Sequence, residues 1–178
     1  DLFVRLKNME SDNLFSNTYR IQSNAPLADK LRPKNLDEFF GQEFILGNNS
    51  LLRNAILNDK VGNIIFSGPP GVGKTTLIEI ISSNTRSSLI KLNAVLSSIK
   101  ELRTEIANAR ERLLSSNRKT ILFIDEVHRF TSVQQDALLP SIENGTITFI
   151  GATTENPFFA INKALISRAR IFSLLPLN

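Results

Sequence analysis

From residue 63 onward, five short runs of apolar and β-branched residues recur along the chain, at 63–67, 88–92, 120–124, 146–151 and 171–174. Within Ile64-Ile65-Phe66 and Ile121-Leu122-Phe123-Ile124 every position is apolar, where a half-exposed strand would alternate. Continuous runs of this kind mark strands covered on both faces. Between the runs the spacing of apolar residues changes to three and four. Residues 50–59 predict a helix with Ser50 as its cap and Leu51, Leu52, Ala55 and Ile56 on one face. An apolar helix is expected over 76–81. Ser98, followed three residues on by Glu101, carries the signature of a capping box, and Ile99, Leu102, Ile106, Ala109 and Leu113 draw an apolar stripe behind it. Residues 132–143 predict a further helix, stopped by Gly145 after Asn144. Strands alternating with helices imply βαβ crossovers and a parallel sheet with helices on both faces. There is no internal repeat.

The first part of the chain reads differently. Residues 11–24 are rich in Ser and Asn and follow no period, so 1–24 are expected to form a tail or a docking arm. Pro33 and Gly41 are expected to bracket one short helical turn. The start at Asp1 rather than Met, and the end at Asn178, suggest a piece of a longer protein.

Composition narrows the chemistry. The 178 residues are 42% hydrophobic, enough for one globular core. The chain contains no cysteine, which excludes disulfides, thiol catalysis, iron–sulfur clusters and Cys-ligated zinc; its single histidine, His128, excludes a His-rich metal site. A net charge of +4 is compatible with phosphates or nucleic acid without requiring them. No apolar run approaches the length of a membrane span, and the patch near Asp1 is too short for a signal peptide. A cytoplasmic protein is expected.

The strongest motif is Gly68-Pro69-Pro70-Gly71-Val72-Gly73-Lys74-Thr75, the G-x-x-x-x-G-K-[ST] phosphate-binding pattern, placed between an expected strand and an expected helix. Glycines let backbone N–H groups turn toward phosphates, and the helix that follows adds its positive end. In this pattern Lys74 reaches the β and γ phosphates and Thr75 offers a hydroxyl to Mg²⁺; Thr76 either joins the site or packs. Fifty-one residues after Lys74, the run 121–124 ends in Asp125-Glu126. A buried parallel strand presents its carboxyl end to ligands, so Asp125 is expected to hold Mg²⁺ through water and Glu126 to orient and polarise an attacking water. The run 146–151 leads to Thr153-Thr154, either of which has the chemistry to sense a γ phosphate. Asn93 either hydrogen-bonds Glu126 or serves as a turn amide. His128 and Arg129 either link this region to DNA or, for His128 in particular, simply pack. No guanine-reading Asn-Lys-x-Asp occurs, since Asn162-Lys163 is followed by Ala164-Leu165.

These motifs, in this order, resemble the AAA+ ATPases, and most specifically the replication-associated recombination protein A family, which comprises the bacterial RarA (also called MgsA) proteins and the eukaryotic Werner helicase-interacting protein. The resemblance covers 25–177. It rests on Pro26-Leu27-Ala28-Asp29-Lys30-Leu31-Arg32-Pro33, Gly41-Gln42-Glu43, the phosphate loop, Lys91-Leu92-Asn93-Ala94-Val95 and Asp125-Glu126-Val127-His128-Arg129-Phe130. Two further stretches complete it, Gln134-Gln135-Asp136-Ala137-Leu138-Leu139-Pro140 and Gly151-Ala152-Thr153-Thr154-Glu155-Asn156-Pro157.

The resemblance implies an α/β P-loop NTPase fold of three layers, AAA+ type, with a five-stranded parallel sheet in the order 5-1-4-3-2. Residues 25–178 would be its core, with the helical lid and the C-terminal oligomerisation region beyond Asn178. It implies that Thr154 takes the sensor position, that Arg168 is an arginine finger acting on a neighbouring subunit, and that Arg32, Pro33, Gly41 and Gln42 lie by the adenine. Without the resemblance, Arg168 and Arg170 read as surface. The implied activity is Mg²⁺-dependent ATP hydrolysis, DNA-stimulated in the full-length protein, in remodelling DNA ends, gaps or stalled forks. The implied partners are DNA, single-strand-binding protein or other replication proteins, and further copies of the chain; a bacterial member would be nucleoid-associated. A clamp-loader-like or RuvB-like subunit, and an ATP-dependent recruitment module that does not hydrolyse, are the alternatives.

Overall fold

The computed structural model describes residues 32–176. The chain divides into two units, 1–32 and 33–178; the expected tail at 1–24, the Pro26–Leu31 part of the motif and Leu177 fall outside the described residues. In chain order the elements are α1 (Glu43–Leu46), α2 (Leu51–Leu57), β1 (Ile64–Ser67), α3 (Lys74–Ser83), β2 (Ser88–Asn93), α4 (Ile99–Ser116), β3 (Thr120–Asp125) and a 3-10 turn (Val127–Arg129). They continue with α5 (Ser132–Glu143), β4 (Ile147–Thr153), α6 (Pro157–Ala160), α7 (Lys163–Ile166) and β5 (Arg170–Ser173).

The five strands form one sheet in the order β2-β3-β4-β1-β5, every pair parallel. Alternate residues of each buried strand point to opposite faces. Ile64, Phe66, Ile121 and Phe123 pack on one face with Leu77, Ile78 and Ile81 of α3 and with Leu52 and Ile56 of α2. Ile65, Leu122, Ile124 and Phe149 pack on the other with Leu102 and Ala109 of α4, Leu138 and Ile142 of α5 and Leu165 of α7. The result is three layers.

The strand order explains which helix covers which face. The connection from β1 to β2 passes over β4 and β3 in one direction, while those from β2 to β3 and β3 to β4 step back in the other. Crossovers of one hand that run in opposite directions put their helices on opposite faces. The chain therefore leaves β1 toward one face and its neighbour β4 toward the other, which opens a crevice at their carboxyl ends.

Local signals set the boundaries. Ser50 accepts a hydrogen bond from the Arg53 N–H and Ser98 one from the Glu101 N–H. The complete capping box lies elsewhere, at Thr131, whose hydroxyl and backbone N–H both pair with Gln134 at the start of α5. Gly145, at φ 73°, ends that helix in a left-handed conformation. The helix expected at 76–81 begins two residues earlier, inside the phosphate motif, and β4 runs two residues past 151 to Thr153.

The expected helical turn between Pro33 and Gly41 does not form. Instead the Asn35 side chain accepts from the backbone N–H groups of Asp37 and Glu38, and Glu38 accepts from the Lys34 N–H and the Asn35 amide. Such side-chain bonds offer the backbone an alternative to a helix, and the helical turn comes later, at α1. Among the described residues no helix is long and apolar enough to cross a membrane.

Gly151 shows how tightly this edge of the sheet is filled. A Cβ there would lie 2.8 Å from the Phe149 ring and 3.1 Å from Val127, in the turn after Glu126. Gly151→Ala is expected to destabilise the fold by about 1–3 kcal/mol through overpacking, measured by chemical denaturation. Gly62→Ala, where a Cβ meets nothing within 4 Å, serves as the neutral control.

Candidate functional site

The phosphate-binding motif fills the turn from β1 into α3. Two of its glycines have positive φ and tight surroundings. Gly68 (φ 151°) abuts the Leu174 carbonyl, and Gly73 (φ 92°), the cap of α3, lies under the ring of Phe39, so a Cβ at either would come within 3 Å of another atom. Gly71 is left-handed as well, at φ 81°. The Gly68 N–H donates to the Thr153 carbonyl at 3.2 Å, which ties the loop to the end of β4. Pro69, Pro70 and Val72 fill the remaining loop positions, and Val72 is buried.

Lys74, in the first turn of α3, is only 8% exposed. Its ammonium donates to the carbonyls of Gly68 at 2.6 Å and Pro69 at 2.8 Å. Burial lowers its pKa below the usual 10.5, and the negative charges of Glu126 and Asp125 partly offset that fall. The cation of the loop and the acids at the end of β3 thus face one another across the crevice. Thr75 is exposed at the same helix start, and Thr76 is half-buried.

On the acidic side, Asp125 closes β3, and one of its carboxylate oxygens accepts from the Glu126 N–H at 3.1 Å. Glu126 adopts a left-handed backbone, φ 52° and ψ 43°, which few residues other than glycine tolerate without cost. The bend takes Glu126 out of the ladder. Its Oε2 accepts from the Thr154 hydroxyl at 3.3 Å.

The end of β4 separates the two threonines: Thr153 is its last residue and Thr154 lies in the bend that follows. Thr153 is fully buried, whereas Thr154 is exposed and turned to Glu126. Of the two, only Thr154 is hydrogen-bonded to Glu126 among the described contacts.

Asn93 does not bond Glu126. Its side chain accepts from the Val95 N–H at 2.9 Å and shapes the turn after β2, because two residues on is the short reach an Asx side chain favours. It lies in register with Asp125, at the same edge.

Gln42 is 4% exposed and spends its amide on the backbone after β5: Nε2 donates to the Leu175 carbonyl at 2.7 Å, and Oε1 accepts from the Leu175 N–H at 3.2 Å. Its side chain is thereby committed, and what this segment turns toward the loop is Phe39, over Gly73. Gly41 makes the preceding bend at φ 84°, after Pro33. Arg32 belongs to the other unit.

Arg168 stands at the opposite edge. Its carbonyl accepts from Asn63, just before β1, and Arg170 two residues on is paired with Ile64. The four residues of β1 separate it from the phosphate loop by roughly 13 Å of strand. Its guanidinium pairs with Glu143 and donates to the Ala164 carbonyl, so it is more constrained than a free surface cation. Beside it lies a concavity of about 450 Å³ whose lining includes Lys60, Asn63 and Arg170.

His128, expected either to link this region to DNA or simply to pack, has a side chain 4% exposed with oxygens at both ring nitrogens. No local pattern marks this, because its partner Thr153 lies 25 residues away.

A divalent cation fits the donors present. Among the described residues no group of three His, Asp or Glu could enclose a metal, whereas a hydroxyl at Thr75 and a carboxylate at Asp125 are the hard oxygens that Mg²⁺ takes while keeping water and phosphate in its shell.

A buried cation facing carboxylates predicts a stability effect. Lys74→Met is expected to raise the melting temperature of the nucleotide-free protein and to abolish its rise on adding nucleotide. Because the folded pKa lies below the unfolded value, the burden of charged Lys74 is full at neutral pH and is relieved as pH climbs from that depressed value toward 10.5. The gap between variant and wild type should therefore narrow at alkaline pH; a gap that widens contradicts the assignment.

Comparison with known proteins gives a consistent picture. Residues 64–177 match the family described as ATPase family associated with various cellular activities (AAA). The chain is 53% identical over 153 residues to replication-associated recombination protein A of Haemophilus influenzae, covering 86% of this chain and 34% of that protein. It is 48% identical over 168 residues to the Escherichia coli K12 protein of the same name, covering 94% and 35%. To the ATPase WRNIP1 of Dictyostelium discoideum it is 43% identical over 171 residues, covering 96% and 19%. The chain thus spans about a third or less of these relatives' lengths. Among solved structures, the Thermotoga maritima RuvB Holliday junction branch migration motor superposes with a TM-score of 0.62 at 34% identity, over 82% of this chain and 48% of that one.

Proposed function

The chain belongs to the AAA family of ATPases, and we propose that it binds ATP with Mg²⁺ and hydrolyses it to ADP and phosphate. The observation that carries this reading is the phosphate loop at the end of β1, with the buried Lys74 ammonium on its carbonyls, at the same carboxyl edge of the sheet where β3 ends in Asp125 and Glu126 follows. In this reading the backbone of Gly68, Pro69, Pro70, Gly71, Val72 and Gly73 cradles the phosphates, with Thr76 beside it, and Lys74 leaves the loop carbonyls for the β and γ oxygens. Thr75, and Asp125 through water, hold Mg²⁺, which neutralises charge on the phosphates. Glu126 draws the proton from the attacking water, while Thr154 aligns the γ phosphate with it. Asn93 borders the site, and Pro33, Gly41 and Gln42 flank the adenine.

Arg168 is too far along the sheet to serve the nucleotide of its own chain. It acts on a neighbouring subunit's nucleotide, where its charge offsets that of the transferring phosphoryl group. The core of the enzyme is 25–178 and 1–24 is a tail.

The names of the relatives support a wider role: ATP-driven remodelling of DNA in replication, recombination and repair, at ends, gaps or stalled forks, by a homo-oligomer in the cytoplasm that is nucleoid-associated in a bacterium and meets single-strand-binding protein. The likeness to RuvB favours a second reading, a motor on branched DNA, but 48–53% identity to the recombination proteins A outweighs 34% to RuvB.

Steady-state ATPase assays on the full-length protein, with and without Mg²⁺ and DNA ends, test the reading. Hydrolysis should require Mg²⁺ and rise with DNA, and Glu126→Gln should lower kcat by about 10²–10⁴. Arg168→Ala should keep nucleotide affinity and lower turnover of the assembled oligomer by on the order of 10³. Wild-type turnover no faster than that of Glu126→Gln would sink the enzymatic claim.

A further inference from the structure

We propose that His128 is a positioning residue for the hydrolytic step, its ring seated through Nδ1 on the Thr153 hydroxyl and set against the Glu126 carboxylate, whose orientation it refers to the phosphate loop. The proposal rests on the ATPase reading above. His128 follows Glu126 by two residues, in the 3-10 turn that the left-handed Glu126 begins. A ring that served only as packing would be walled by apolar groups. Instead Nδ1 lies 2.9 Å from the Thr153 hydroxyl and 3.4 Å from Glu126 Oε2, while Nε2 lies 3.4 Å from Glu155 Oε1.

The ring is itself fixed. Thr153, fully buried, accepts from the Glu155 N–H at 3.0 Å, so the hydroxyl that seats Nδ1 has little freedom. The carbonyl of the same Thr153 accepts from the Gly68 N–H, the first of the phosphate loop. A short chain of contacts therefore runs from Gly68 through Thr153 and His128 to Glu126. It references the carboxylate that would take a proton from water to the loop that would hold the phosphate. The described side-chain contacts of Glu126, the hydrogen bond from Thr154 and the approach of the His128 ring, both fall on Oε2. Orientation of this kind governs whether a base is aligned, and removing an orienting partner lowers rate rather than binding.

The test is steady-state kinetics and nucleotide binding on the full-length protein for His128→Ala, His128→Asn and His128→Gln, each also on the Glu126→Gln background. His128→Ala should lower kcat roughly tenfold to a hundredfold while KM and nucleotide affinity stay within about twofold. The Asn amide falls near Nδ1 and should restore most of the rate, whereas the Gln amide extends toward Nε2 and should restore little. With Glu126→Gln present, His128→Ala should cause no further loss.

Unchanged kcat in His128→Ala, equal rescue by Asn and Gln, or a full additional loss on the Glu126→Gln background would each overturn the proposal while leaving the ATPase reading intact. A wild type that does not hydrolyse ATP would overturn both. Should His128→Ala fail to fold, the contrast between Asn and Gln carries the test.

Discussion

A lysine held out of water opposite two carboxylates is the constraint on which the rest of the structure depends. Burial penalises the Lys74 charge, and among the described residues the Gly68 and Pro69 carbonyls and the field of Glu126 and Asp125 answer it. Such an arrangement contributes little to folding, because desolvation of a buried ion consumes most of what its partners return. A polyanion that carries its own divalent cation suits it better: the phosphates meet the ammonium while the cation meets the acids. The geometry is poorly suited to being empty and well suited to a nucleotide.

The sheet order supplies this juxtaposition. β1 ends in the loop, β4 beside it ends at Thr153, and β3 beyond it ends at Asp125. Three segments far apart in sequence thereby meet at one edge of the sheet. Glu126 with its left-handed backbone and Gly68 and Gly73 with their positive φ all lie at this edge. The opposite edge carries Arg168, so the two halves of the proposed chemistry face outward in different directions. That polarity is what a head-to-tail assembly of identical subunits requires.

Much of this was legible in the chain. Strands buried on both faces announce themselves by continuous apolar runs, and Ile64-Ile65-Phe66 and Ile121-Leu122-Phe123-Ile124 occupy the central strands where such runs belong. The helix at Ser132–Glu143 lies between the boundaries its pattern implies. What escaped was set by partners distant in sequence. Gln42 is committed to Leu175, 133 residues away, and no periodicity reveals that. The choice between Thr153 and Thr154 depends on where β4 ends, with Thr153 its last residue and Thr154 in the bend after it. His128 left two readings open because two of its three oxygen neighbours, Thr153 and Glu155, come from the end of β4 and the turn beyond it. The segment after Pro33 went astray for a local reason, an Asn side chain that outbids the helix.

The most direct measurement is a crystal structure of the full-length protein with Mg²⁺ and a non-hydrolysable ATP analogue. The account predicts the γ phosphate within hydrogen-bonding distance of Lys74 Nζ, about 2.7–3.2 Å, with the ammonium drawn off the Gly68 and Pro69 carbonyls and the metal between Thr75 and Asp125. Phosphates bound away from the crevice between β1 and β3, or a lysine still fastened to its own loop with nucleotide present, would contradict it.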